Sequence, residues 1–443
     1  METLNGVNDK ILAKKVAKHS NNIRNGLDVL PSLKYGVPSG MGNVRWTSDL
    51  ILSTYYQAKN GNPPNNGLNY LTGASKGGFD CIHFKREKEI LETEISRTDE
   101  KNIDLSISLN KKKVGRKLDI KIPAYGGGMS FGSVSLNFMI SRAMAAKELG
   151  TLTCTGEGGY PEPLMKFKDH IIVQLATGMF GVREETLQIA PVIEFKYAQG
   201  AKPGLGGHLL ADKVTAAVAK MRESTEFTSL YSPFPFHSVY SVEDHKKHVD
   251  WVKTINPYAL VSVKVSTPRD VDMVAIGSYY AGAEIIHIDG AYGGTGAAPE
   301  IAKKNIAMPI EYAIPIVHKY LIKEGVRDDV TLIASGGIRT AFDAAKAIAL
   351  GADGVVIGTS EAVAVGCTHC GNCERGRGCQ IGITTTDPEL SLFIDPIWGS
   401  KRIINMYKSW IIQWRKILAA LGLSSIRELV GKNEVLYYKK QVF

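Results

Sequence analysis

A (β/α)8 barrel over residues 119–365 is predicted from three observations. Short β-branched runs alternate with helical segments. The runs are apolar throughout rather than at every second position, as parallel strands buried on both faces require. Gly-rich or small-residue turns follow many of them, which a ring of loops at one barrel rim needs. A doubly wound open sheet is the second choice, because it gathers its site at one switch point instead.

The runs are DIKIPA (119–124), TLTCTG (151–156), IIVQLAT (171–177), VIEFKYA (192–198), ALVSVKV (259–265), EIIHIDG (284–290), VTLIASGG (330–337) and GVVIGTS (354–360). Between them LNFMISRAMAAKELG, KVTAAVAKMR, VEDHKKHVDWVKTI and AFDAAKAIALG carry the helical pattern. Residues 1–118 form an N-terminal extension with no clear alternation, and 57–78, rich in Gly, Asn and Pro, reads as loop. Residues 366–388 make a cysteine loop. Residues 389–443, with INMYKSWIIQWRKILAALG, are expected to be helical and packed on the barrel. A Trp-bearing basic membrane helix is the alternative.

The 443 residues hold 53 Lys+Arg against 44 Asp+Glu, a formal charge of +9, and 44% are apolar. That balance excludes disorder as the main state. No window of about 18 residues is continuously apolar, so no membrane span is expected. Residues 1–20 lack the apolar core of a secretory signal, and a cytoplasmic protein is expected. The densest basic run, KKKVGRK (111–117), has no interleaved aromatics. It reads as a solvated loop, with an acidic redox partner as the alternative and no nucleic acid. Six cysteines are too few for a disulfide scaffold, and four of them crowd between 367 and 379. That crowding points to metal in a reducing compartment.

The sharpest chemical signal is Cys367-x2-Cys370-x2-Cys373-x5-Cys379 in a Gly-rich loop. Thiolates at this spacing can wrap an iron–sulfur cluster. Zinc is the alternative, since two C-x2-C hooks also suit a tetrahedral site. Cys81 and Cys154 stand apart and read as small buried hydrophobes. ASGGIR (334–339) and GADGVVIGTS (351–360) place two strand–Gly turns at the seventh and eighth strands. Such a pair cradles a phosphate of FMN type, or simply makes tight barrel turns. IEFKYAQGAKPGLGG (193–207) puts Lys196, Gln199 and Lys202 at and after a strand end, and Arg222 closes the next helical run. Three cations around one mouth suit a dicarboxylate. Lys264, inside VSVKV, needs a partner: either the electron-rich edge of a reduced flavin or a carboxylate in the barrel. Glu157, in a Gly-rich turn, is a candidate proton carrier. His237 in SPFPFHS reads equally as structural or functional.

These motifs resemble the FMN-containing synthase region of the glutamate synthase large subunit. The stretches that carry the likeness are GGMSFGSVS, TGEGG, IEFKYAQGAKPG, SPFPFHSVYSVEDH, VSVKV, DGAYGGTGAAP, the cysteine loop and TTTDPEL, in the family's order over residues 120–395. AQGAKPG is the most specific. The resemblance implies an FMN barrel with an iron–sulfur cluster that converts 2-oxoglutarate and ammonia to glutamate through 2-iminoglutarate. It implies carboxylate binding by Gln199, Lys202 and Arg222, and catalytic roles for Glu157, Lys202 and Gln199. It implies flavin contacts from Ser133, Lys196, Lys264, Gly294, Gly336, Gly337, Gly358 and Thr359, and cluster ligation by Cys367, Cys373 and Cys379.

The chain departs from the family at several points. The usual loop, C-x5-C-x4-C with a 3Fe-4S cluster, is one residue longer here and gains Cys370. Four thiolates favour 4Fe-4S, with 3Fe-4S as the alternative. The changed residues in GEGGY, AKPGLGG and DGAYGGTG surround the substrate mouth. They keep open an N-methylglutamate synthase-like use of an alkylamine. A non-catalytic electron-transfer or assembly subunit is a third reading. Ammonia is expected from a separate glutamine amidotransferase subunit, electrons from ferredoxin or a flavoprotein subunit, and the protein is expected to oligomerise.

Overall fold

Eight parallel strands close into a barrel in sequence order. They are β1 (Ala124–Gly126), β2 (Thr153–Cys154), β3 (Ile171–Ala176), β4 (Val192–Lys196), β5 (Leu260–Ser266), β6 (Ile285–Asp289), β7 (Thr331–Ser335) and β8 (Gly354–Ile357). The computed structural model describes residues 42–64, 72–96, 102–204, 207–293 and 296–439. Closure comes from β8 beside β1, with Val355 opposite Ala124 and Ile357 opposite Gly126. Both sheet faces are covered, so β3, β5, β6 and β7 are buried along their whole length. That is why these runs carry no polar alternation.

The first predicted run is divided. Asp119–Ile120 pairs antiparallel with Ile107–Ser108, and only residue 124 of that run lies in β1. Pro123 lies between the two pieces and has no N–H to give to a ladder. Its carbonyl instead accepts from Val355 N at 2.9 Å.

Three of the helices carry side-chain N-caps that their sequences supply. Ser135 caps Leu136–Leu149 by accepting from Phe138 N, and Gly150 ends it in the left-handed region at φ 64. Ser241 and Thr340 cap Val242–Ile255 and Ala341–Leu350 in the same way. KVTAAVAKMR is α-helical only over Ala216–Arg222, and its first residue, Lys213, ends the 3-10 turn Ala211–Lys213.

Described segments that precede and follow the barrel in the sequence pack together on it. The helix Pro396–Ala420 starts earlier than its sequence period indicated, at Asp395, whose side chain accepts from Trp398 N. Trp410 and Trp414 are fully buried on it, and Trp414 donates to the Ala341 carbonyl at 2.9 Å. Among the described residues no helix is long and apolar enough to cross a membrane. The helix Ser48–Asn60 packs on Pro396–Ala420, where Gln57 accepts from Ser409 and Gln413, each at 2.9 Å. Ile82–Phe84 pairs antiparallel with Leu436–Tyr438. Arg339, 1% exposed, donates to Asp80 at 2.6 Å, to Asp343 at 2.8 Å and to the Arg45 carbonyl at 2.7 Å.

The run 111–117 is the solvated loop expected of it over residues 113–117, which are exposed, whereas its first two lysines turn inward. Val114 is 75% exposed, but Lys111 pairs with Asp353 at 2.5 Å and Lys112 donates to the Gly282 carbonyl at 3.1 Å. Asp353 is buried and also faces Arg327, so it recruits a cation from the loop.

Candidate active site

The ends of β2 and β4, with the loops after them, bring Glu157, Lys196, Lys202 and Arg222 into one cluster. Lys196 closes β4, and its Nζ lies 3.2 Å from Oε2 of Glu157. The carboxylate fits because residue 207 is glycine: a Cβ there would stand 1.6 Å from Oε1 of Glu157. Arg222 ends the helix Ala216–Arg222, donates to Ser130 Oγ at 3.0 Å and to the Phe131 carbonyl at 3.1 Å, and is buried. Its Nε has no hydrogen-bond partner among the described residues. Burial pulls the Glu157 carboxyl upward, but the charges of Lys196, Arg222 and Lys202 outweigh it and hold the group below the usual carboxylate range. Glu157 is therefore an anion.

Lys202 is 3% exposed and donates to His208 Nδ1 at 2.5 Å. Burial and the neighbouring charge of Lys196 push Lys202 down to about 8. His208 Nε2 in turn faces Glu374 at 3.6 Å, a residue of the cysteine loop. Gln199 is buried, and its carbonyl accepts from Lys202 N at 3.3 Å. Among the described residues the cluster thus sets Lys196, Lys202 and Arg222 against Glu157, with the half-exposed Glu374 at its edge, an excess of positive charge that an anionic ligand would neutralise.

Lys264 lies deeper, on β5, with its Nζ 3.2 Å from Oδ2 of Asp289 on β6. The carboxylate partner that the sequence left open is therefore present. Burial lowers Lys264, but Asp289 and Glu194 more than offset that and keep it charged. The same layer holds Glu194, His287 and Ser335: His287 faces Glu194 at 3.0 Å and Ser335 at 2.7 Å. Glu194 is lowered to about 2, because His287, Lys264 and Gln174 overcome its burial. Oδ2 of Asp289 also accepts from Gly200 N at 3.0 Å, which ties this layer to the loop bearing Gln199 and Lys202. Sequence reasoning missed Asp289, Glu194, His287, His208 and Glu374. The signal for the first three was a polar residue inside an otherwise apolar strand, as in VIEFK and IIHID.

On the opposite arc, β7 ends in Gly336 and Gly337, at φ 101 and 75. A Cβ on Gly336 would stand 2.5 Å from the Gly290 carbonyl, so the turn takes no other residue without moving. Gly358 and Thr359 open the short helix after β8 and are half-buried. Ser133 donates to the Ser130 carbonyl at 2.8 Å. Gly294 lies outside the described residues. His237 is exposed.

Cys367, Cys370 and Cys373 are half-buried and Cys379 is buried, all as free thiols. Burial and the neighbouring thiols push Cys367 and Cys373 upward. The loop packs against its neighbours: a Cβ on Gly296 would stand 2.6 Å from Sγ of Cys373. Buried Lys213 donates to the Cys373 carbonyl at 2.7 Å and reaches the Ser133 carbonyl at 3.5 Å. Among the described residues, no three His, Cys, Asp or Glu side chains close on one point as ligands of a single ion do. The donor set itself, four thiols around one loop with a lysine beside it, has the chemistry of a thiolate-bound cluster.

Fold and site define a (β/α)8-barrel enzyme whose rim joins a cationic mouth to a cysteine loop. Residues 78–424 match the family described as the conserved region in glutamate synthase, and the chain belongs to that family. It is a glutamate synthase-like oxidoreductase of the CH–NH2 class. An archaeal-type glutamate synthase [NADPH] of Thermotoga maritima is 40% identical over 83% of this chain and 73% of its own length. An archaeal glutamate synthase [NADPH] of Methanocaldococcus jannaschii is 43% identical over 74% of this chain and 64% of its own. The glutamate synthase [NADPH] large chain of Azospirillum brasilense is 35% identical over 70% of this chain, which spans 21% of that protein.

Proposed function

We propose that the chain is the synthase subunit that makes glutamate from 2-oxoglutarate and ammonia, with FMN and an iron–sulfur cluster as cofactors. The observation that carries this is the excess of cations at the mouth: Lys202 and Arg222 are buried, Glu157 is paired with Lys196, and the half-exposed Glu374 reaches Lys202 only through His208. Arg222 Nε has no partner, as a donor awaiting a carboxylate oxygen would. Lys202 and Arg222 bind the carboxylates of 2-oxoglutarate, with Gln199 beside them. Glu157, held ionised, relays protons from nitrogen to oxygen twice: once as ammonia adds to the C2 carbonyl to give the carbinolamine, and again as the carbinolamine loses water to give the imine. Lys196 keeps Glu157 ionised and oriented.

The residues present also fit a flavin. Gly336 and Gly337 form a left-handed turn of the kind that cradles a phosphate, and Lys264 supplies a charge inside the barrel. Reduced FMN, when bound, supplies the hydride equivalent that turns 2-iminoglutarate into glutamate. Lys264, anchored by Asp289 at 3.2 Å, would offer a positive charge to the flavin ring. Cys367, Cys370, Cys373 and Cys379 would hold the cluster, with 4Fe-4S favoured by the fourth thiol. Relatives named for NADPH support a flavoprotein subunit as electron source, with ferredoxin as the alternative. A separate amidotransferase subunit supplies ammonia. Anaerobic purification with flavin and iron quantified tests the reading. One FMN and four irons per chain are expected, and a chain that takes up neither cofactor would end it.

A further inference from the structure

We propose that Arg45, from the segment ahead of the barrel, is the cation that grips the flavin phosphate at the β7 turn. The inference rests on the FMN reading above and adds a residue to it. The sequence motif at that turn brings its own arginine, Arg339, but Arg339 is committed elsewhere. Its guanidinium is buried and donates to Asp80, Asp343 and the Arg45 carbonyl. It is thus unavailable to a ligand, and the two glycines are left without the charge a phosphate needs.

Arg45 stands where Arg339 does not. A Cβ on Gly337 would lie 2.4 Å from NH2 of Arg45, so the guanidinium rests directly on the left-handed turn. The other face of the site holds it as well: Arg45 Cζ stacks 3.8 Å from the ring centroid of Tyr292, in the loop after β6. The backbone is fixed from both sides, since Arg45 N donates to Asn43 Oδ1 at 2.9 Å and its carbonyl takes the hydrogen bond from Arg339. The guanidinium forms no ion pair with any described residue. Glu311 is close enough to be lowered by its charge, yet burial dominates that carboxyl and raises it. A stacked, half-buried arginine over a glycine turn, with no ion-pair partner among the described residues, is the arrangement that binds a phosphate bidentately. Arg339 then acts indirectly, by holding the Arg45 carbonyl.

The test compares two probes on the full-length apoprotein: FMN, and riboflavin, which lacks the phosphate. Binding is read by quenching of flavin fluorescence. Arg45→Ala is expected to raise the FMN Kd about tenfold and leave the riboflavin Kd unchanged, with Arg45→Lys in between. Thermal melting of each apoprotein variant checks folding. An FMN Kd within about twofold of wild type in a folded Arg45→Ala protein would overturn the proposal. Equal losses for FMN and riboflavin would also overturn it, because they would make Arg45 a support for Tyr292. A wild-type chain that binds neither probe would instead defeat the flavin reading itself.

Discussion

Lys196 Nζ and Glu157 Oε2 meet at 3.2 Å, although they come from β4 and from the loop after β2, with β3 between those strands. The pair sets the charge state of the whole mouth. With Glu157 ionised, Lys196 is balanced, and Lys202 and Arg222 keep their charge for a ligand.

Replacing Glu157 by Gln removes the proton acceptor and keeps the shape. Turnover of 2-oxoglutarate and ammonia is expected to fall by about 10²–10³-fold. Binding of 2-oxoglutarate, measured by calorimetry, is expected to hold or tighten, since one negative charge leaves the mouth. Equal damage to binding and turnover would instead mark Glu157 as structural.

Lys202 makes substrate binding sensitive to alkali. Burial and Lys196 lower it to about 8, so it is charged below that pH and neutral above it. Dicarboxylate affinity should be flat below pH 8. Above pH 8 it should weaken by about tenfold per unit until Lys202 is neutral in the complex too. Calorimetric titrations of 2-oxoglutarate from pH 6.5 to 9.5 would show the bend. Lys202→Met should bind weakly throughout and lose it. A bend that survives in Lys202→Met belongs to another group.

Arg339 ties the N-terminal segment to the barrel through Asp80 and Asp343, all three buried. Arg339→Met strands two buried carboxylates, and about 3–5 kcal/mol of stability should be lost in urea unfolding. A loss below about 1 kcal/mol would mean that the segment folds independently of this anchor.

The strands were legible because a barrel strand buried on both faces must be apolar throughout. The run at 119–124 was the exception, since Pro123 interrupts it and sequence alone does not say which side joins the barrel. Lys202 and Glu157 could be read from their Gly-rich loops, and Lys196 from its place at the end of an apolar strand. His208 and Glu374 could not, because their meeting depends on how the cysteine loop folds back onto the loop after β4. Residues 42–118 were opaque for a related reason. The described helix and strands there are fixed by contacts with the far end of the chain, as between Gln57 and Ser409, and sequence period carries no record of such partners.

Cys370 distinguishes the two clusters. Under the four-thiolate reading, Cys370→Ser should lower iron from four per chain to about three and leave flavin content unchanged. Low-temperature EPR of the oxidised protein should then gain a three-iron signal. Unchanged iron and EPR would place Cys370 outside the cluster.

The most direct measurement is a single turnover. The purified holoprotein, photoreduced without oxygen, would be mixed with 2-oxoglutarate and ammonium while flavin absorbance and amino acids are followed. Flavin reoxidation that needs both substrates, with one glutamate formed per flavin, is the predicted result. A flavin that stays reduced, or reoxidises without glutamate, would contradict the assignment.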